Sequence, residues 1–167
     1  MIDIGGYVIY GSMGICKVES LSLLKFHGST DKQQYYTLVP RYHKDSKVYV
    51  PADNKDLVER MRPILSQNEI DRIILSAKDA SISWEPNHKT RADQFHAILL
   101  RRDERELLLL ISCLYLRSKQ SEKGLTAGDA RILKAAEDII QEEFAFSLHI
   151  PTQEVGNYIK NKLGLCQ

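Results

Sequence analysis

The hydrophobic period of this chain changes once, between about residues 52 and 65, and that change decides its architecture. Before it, apolar residues come in short runs of β-formers broken by turn residues. After it, they recur at i, i+3, i+4 and i+7, the spacing of one helix face. Two periods in two consecutive blocks predict an α+β chain, a small β module followed by an all-helical domain of about five helices. We place the β module at 1–56, a linker at 57–65 and the helical domain at 66–167.

Four strands are predicted in the first block. Tyr7–Tyr10 is short, and Gly11-Ser12-Met13-Gly14 turns the chain with two glycines available for positive φ. Ile15–Phe26 is long, and its alternation falters at Ser20–Leu23, the mark of a bulge or bend. Gln33–Val39 follows a polar turn, and Lys47–Val50 ends at Pro51. Short strands on short turns predict a small Tudor- or SH3-like barrel. About fifty residues bury little core, and exposed strand edges invite strand addition by a partner.

From Ser66 the signals are helical. Ser66-x-x-Glu69 is a capping box, and Ile70, Ile73, Ile74 and Ala77 form one stripe. A second helix starts near Asn87, a third after Asp103, a fourth after Thr126 and a last one at Pro151, with Gly164 as its C-terminal cap. Leu107–Ile111 is almost continuously apolar, which predicts the buried centre of the bundle. The acidic residues Glu137, Asp138, Glu142 and Glu143 read as a solvated face.

Composition removes several functions. Lys plus Arg is 23 against 22 for Asp plus Glu, so nucleic acid binding must rest on a local patch. Cys16, Cys113 and Cys166 are isolated, with no C-x-x-C pair, so no zinc or redox motif is expected and a reducing cytoplasm is. The start of the chain lacks the pattern of a signal peptide, and no apolar run approaches a membrane span. There is no G-x-x-x-x-G-K-S/T, H-E-x-x-H, G-x-S-x-G or G-x-G-x-x-G, so no enzyme is expected. His27, His43, His88, His96 and His149 include no pair at i, i+4, so no metal and no cofactor are assigned.

The stretch Ser81–Arg91 holds the chain's single tryptophan, Trp84. Pro86 disfavours helix at Glu85, which puts the indole on a loop just before a helix. His88, Lys89 and Arg91 follow in the first helical turn. Between Trp84 and Arg102 there are four cations, Lys89, Arg91, Arg101 and Arg102, against Glu85 and Asp93. Arg105, Arg131 and Lys134 lie at neighbouring helix junctions. An indole beside cations suits stacking on or wedging into nucleic acid. The same residue also suits a plug between two helices.

Together these motifs resemble the CarD family of bacterial RNA-polymerase-binding transcription regulators. The resemblance rests on I-G-G-Y-V-I-Y-G-S-M-G-I-C-K-V at Ile4–Val18 and V-Y-V-P-A-D-N at Val48–Asn54. It continues through Trp84 and its following cations, G-L-T-A-G-D-A-R-I-L at Gly124–Leu133 and A-E-D-I-I-Q-E-E-F-A at Ala136–Ala145. It implies a two-part adaptor with no small-molecule substrate and no membrane. The β module would dock on the polymerase β subunit, through Lys25, Tyr36, Lys47 and Tyr49. The helical half would reach promoter DNA at the upstream edge of the transcription bubble and stabilise the open complex. Trp84 would be the wedge, and Lys89 and Arg91, with His88 and Arg131 beside them, the phosphate contacts. Two positions depart from the family pattern: Tyr49 and Leu24 stand where arginines are expected, which shifts docking toward Tyr49 and backbone pairing. The near-zero net charge supports a rival reading, an adaptor whose helical half docks another protein.

Overall fold

The computed structural model describes residues 2–165, so Cys166 lies outside the described residues. The chain divides into two compact units, Met1–Ile64 and Leu65–Gln167.

The first unit is built on a five-stranded antiparallel sheet: β1 Tyr7–Tyr10, β2 Ile15–Leu24, β3 Gln33–Pro40, β4 Val48–Pro51 and β5 Met61–Pro63. A short helix, α1 Lys55–Glu59, precedes β5. The strand order is β4-β3-β2-β1-β5. The β1–β2 hairpin closes through a single 3-10 turn at Gly11–Met13, with Gly11 at φ 49° and Gly14 at φ 66°. Both are left-handed conformations that favour glycine. Register places Val8 opposite Cys16, and the faltering alternation of β2 resolves into a bulge between Val18 and Ser20. One sheet face carries Val8, Cys16, Val18, Leu38, Val50 and Met61, the core of the unit.

The expected linker at 57–65 is a correction. Its first part completes α1, capped by the Asn54 side chain, which accepts from Leu57 N–H at 3.2 Å. Residues 61–63 then pair with β1, Met61 opposite Tyr10 and Pro63 opposite Val8. Pro63 is tolerated because β5 is an edge strand, where a missing N–H breaks no second ladder. Helix α1 packs against both β4 and β5, the two edges of the sheet.

The second unit is helical: α2 Gln67–Ser76, α3 His88–Arg101, α4 Glu104–Gln120, α5 Ala127–Leu148 and α6 Thr152–Leu163. The first four start at capping side chains. Ser66 and Glu69 form the full capping box, and Asn87, Asp103 and Thr126 each accept from the third backbone N–H of their helix. Phe95, Leu107, Leu110, Leu114 and Phe144 are nearly or fully inaccessible, with α4 supplying four consecutive buried leucines, Leu107–Leu110.

The acidic run of α5 is only partly a solvated face. Asp138 pairs with Lys134 and is exposed, but Glu143 is buried, at 4% exposure. Its carboxylate accepts from Leu65 N–H at 3.0 Å, and Ser147 donates to the Leu65 carbonyl. A buried carboxylate here satisfies backbone polarity where the chain enters the helical unit.

Helices α2 and α6 are joined by Asp71, which accepts from Tyr158 Oη at 2.6 Å and Lys162 Nζ at 2.8 Å. Burial pushes the Asp71 carboxyl up, but these two hydrogen bonds and the lysine charge outweigh it, and its pKa is lowered overall. A lowered folded-state pKa stabilises the fold above the ordinary carboxylate pKa, and this contribution is lost as pH falls through the folded value. Urea melts below pH 5 should therefore show wild type losing stability with acid more steeply than Asp71→Asn; parallel curves would contradict the assignment.

Candidate functional site

In the second unit the site forms where the first turns of α3 and α5 meet under the loop from Ala77 to Asn87. Asn87 caps α3 by accepting from Thr90 N–H at 3.0 Å, which sets His88, Lys89 and Thr90 in its first turn. Thr126 caps α5 by accepting from Asp129 N–H at 3.1 Å. His88 Nε2 lies 3.8 Å from the position a Cβ on Gly128 would take, so the two helix starts are in contact.

Arg91, one turn into α3, is 5% exposed. Its Nη2 donates to Asp129 Oδ2 at 3.0 Å and its Nε to Oδ1 at 3.4 Å. Its Nη1 donates to the Glu85 carbonyl at 2.9 Å and to that of Pro86 at 3.4 Å. Asp129, 3% exposed, also accepts from Thr126 Oγ1 at 2.9 Å. Arg91, expected from the sequence as a phosphate contact, is therefore placed in the interior with protein partners. The reason is packing: α5 delivers a carboxylate to its side, and two loop carbonyls accept from its Nη1.

Trp84 is half-buried. It meets Phe95 edge-on, with ring centroids 6.4 Å apart, and packs on the helical core. The Arg91 guanidinium carbon lies 4.3 Å from the indole centroid and that of Arg117 4.9 Å. The tryptophan is therefore both a joint between elements and a partly accessible ring held by cations. Arg117 was not legible as a neighbour, because it reaches the site from α4. Cys113, one turn earlier on the same face of α4, sits close enough to feel Arg91 and Asp129. Burial pushes its thiol pKa up, with Arg91 opposing.

The remaining cations sort clearly. Lys89, Arg117 and Arg131 are exposed, as is His88. Arg101 is tied to Glu106 at 2.8 Å, Arg105 donates to the Ser76 carbonyl at 3.3 Å, and Lys134 pairs with Asp138. Among the described residues no group of His, Cys, Asp and Glu could hold a metal ion, and no helix is long and apolar enough to cross a membrane.

In the first unit, Lys25 is exposed just beyond β2. Lys47 pairs with Glu19 at 2.6 Å, both about half exposed, and the hydrogen bond to Glu19 raises the lysine pKa. Tyr49 is 41% exposed on β4, the sheet edge. Tyr36, expected from the sequence to face polymerase, is on β3. It lies opposite Val50 and is half-buried against the sheet core. An aromatic group joins the exposed Tyr49 and Phe26 with the half-buried Tyr35, Phe26 lying edge-on to the two tyrosines at 5.1 and 4.9 Å. Period-2 alternation puts Tyr35 and Tyr49 on one face, a signal present in the sequence once the β3–β4 register is known.

The buried pair carries a direct stability expectation. Removing one partner of a buried, hydrogen-bonded ion pair costs roughly 3–5 kcal/mol, whereas an exposed i,i+4 pair contributes about 0.3–0.5 kcal/mol. Asp129→Ala should therefore lower the denaturation midpoint far more than Lys134→Ala. Equal effects in chemical melts would show that the Arg91–Asp129 pair is not a structural tie.

The family model described as the CarD-like/TRCF RID domain matches residues 2–65. The match ends at Leu65, one residue past the end of the sheet unit. RNA polymerase is the partner this domain supports. The N-terminal unit of the chain belongs to the CarD-like/TRCF RID family of RNA-polymerase-interacting domains.

Proposed function

We propose that the chain is a non-enzymatic transcription regulator that docks on the polymerase β subunit and contacts promoter DNA at the upstream edge of the bubble. The observation that supports the DNA half is Trp84, a half-buried indole on a pre-helix loop with guanidinium groups 4.3 and 4.9 Å from its ring centroid. In this reading the exposed face of the ring stacks on or wedges between bases at the fork. Lys89, Arg117 and Arg131, with His88, hold the neighbouring phosphates. The contact hinders closure of the bubble and lengthens the life of the open complex.

The magnitudes suit that role. Contact between a base and an aromatic ring is worth ~1–3 kcal/mol, which corresponds to a shift of roughly 5–150-fold in an equilibrium. A near-neutral protein binds free DNA weakly, but tethering to polymerase raises its effective concentration at the promoter. Docking in this reading uses the β4 edge for backbone pairing and the Phe26, Tyr35 and Tyr49 rings for side-chain contact. Partly exposed tyrosines of this kind are frequent anchors of protein interfaces.

Trp84→Ala should leave polymerase binding intact, because the docking surface is in the other unit, and shorten open-complex lifetime by roughly 5–150-fold. Tyr49→Ala should do the reverse, weakening polymerase binding by about tenfold. The net charge of +1 supports a second reading, in which the helical unit docks a protein and never touches DNA. Under that reading the lifetime measured with Trp84→Ala equals wild type.

A further inference from the structure

The loop that carries Trp84, residues 77–87, belongs to no helix or strand. Its aim therefore depends on ties from neighbouring elements. Asn87 N–H donates to the Glu85 side chain at 2.8 Å, which turns the loop back just before α3. The Glu85 and Pro86 carbonyls both receive Arg91 Nη1. The same guanidinium holds Asp129 with its other nitrogens and stands 4.3 Å from the indole centroid. One side chain thus touches the loop backbone, the ring and the start of α5.

This placement is physically unusual for a cation. The first turns of α3 and α5 both present the positive end of a helix dipole, which disfavours a positive charge. Asp129 in the first turn of α5 supplies the compensating carboxylate. A planar fork gives the carboxylate two donors from separate nitrogens and keeps a third nitrogen for the two carbonyls; an ammonium must serve all of them from a single atom.

From this geometry, and resting on the DNA reading above for its consequence at promoters, we infer that Arg91 and Asp129 form a latch that sets the aim of Trp84. Arg91 is a positioning residue, acting on DNA only through the indole. The cation beside Trp84 that faces solvent is Arg117. The latch joins residues 38 positions apart, so α5 controls a loop it does not contain.

The test uses the full chain, whose single tryptophan reports Trp84 alone. Arg91→Lys, Asp129→Asn and the double variant are studied where far-UV circular dichroism matches wild type. Arg91→Lys should raise acrylamide quenching of Trp84 at least about twofold, because lysine keeps the charge and loses the fork. Asp129→Asn should raise it similarly, and the double variant no further, since both changes open one latch. If Asp129→Asn does not fold, Arg91→Lys decides alone. With polymerase and promoter DNA, Arg91→Lys should weaken the complex while leaving its logarithmic salt slope unchanged. Lys89→Ala should reduce that slope by about one.

Wild-type quenching in Arg91→Lys would overturn the latch, as would wild-type quenching in a folded Asp129→Asn. A salt slope that falls in Arg91→Lys as it does in Lys89→Ala would also overturn it, because Arg91 would then be a phosphate contact. Raised quenching with unchanged DNA behaviour would uphold the latch and remove the DNA reading instead.

Discussion

The helical unit is organised around an ion pair that has left water. Arg91 and Asp129 are 5% and 3% exposed, and burying both is costly unless every polar atom finds a partner. Here each does: the guanidinium reaches a carboxylate and two carbonyls, and the carboxylate receives a guanidinium and a threonine hydroxyl. Meeting those demands requires α3, α5 and the Trp84 loop to be in one arrangement. The pair therefore contributes specificity of geometry more than net stability, and the geometry it specifies is that of the indole.

The sheet unit answers a different constraint. A small sheet has two edges and a limited core. The interior strand β2 pairs on both sides, while β4 and β5 are the two outermost strands and α1 contacts both of them. A module with an available strand edge and an exposed aromatic group is suited to docking on a larger protein, which agrees with its membership of a polymerase-interacting domain family. Joining such a module to a weakly charged helical unit divides the work between affinity and effect. The first unit would supply residence on polymerase, and the second would need only a modest contact to bias a marginal equilibrium.

Much of this was legible from residue order. Strong local signals survived intact: the caps Ser66, Asn87, Asp103 and Thr126 begin four of the helices, and the two glycines flank the β1–β2 turn. Signals that needed a distant partner did not survive. Strand β5 has three residues and a proline, so nothing local marks it, and it exists because β1 offers an edge. Glu143 reads as a solvated charge and Arg91 as a phosphate contact, and each is buried by a partner tens of residues away. Arg117 joins Trp84 only through the packing of α4. Arg102 and His149 end α3 and α5 in the left-handed region, at φ 53° and 55°, without the glycine that would have announced them.

The central claim is that the helical unit touches promoter DNA while the sheet unit holds polymerase. Hydroxyl-radical footprinting of a polymerase–promoter complex, with and without the full chain, tests it most directly. The expected result is added protection confined to the upstream edge of the bubble, disappearing with Trp84→Ala while the protein stays bound to polymerase. An unchanged DNA footprint under conditions where the chain is demonstrably bound would contradict the account.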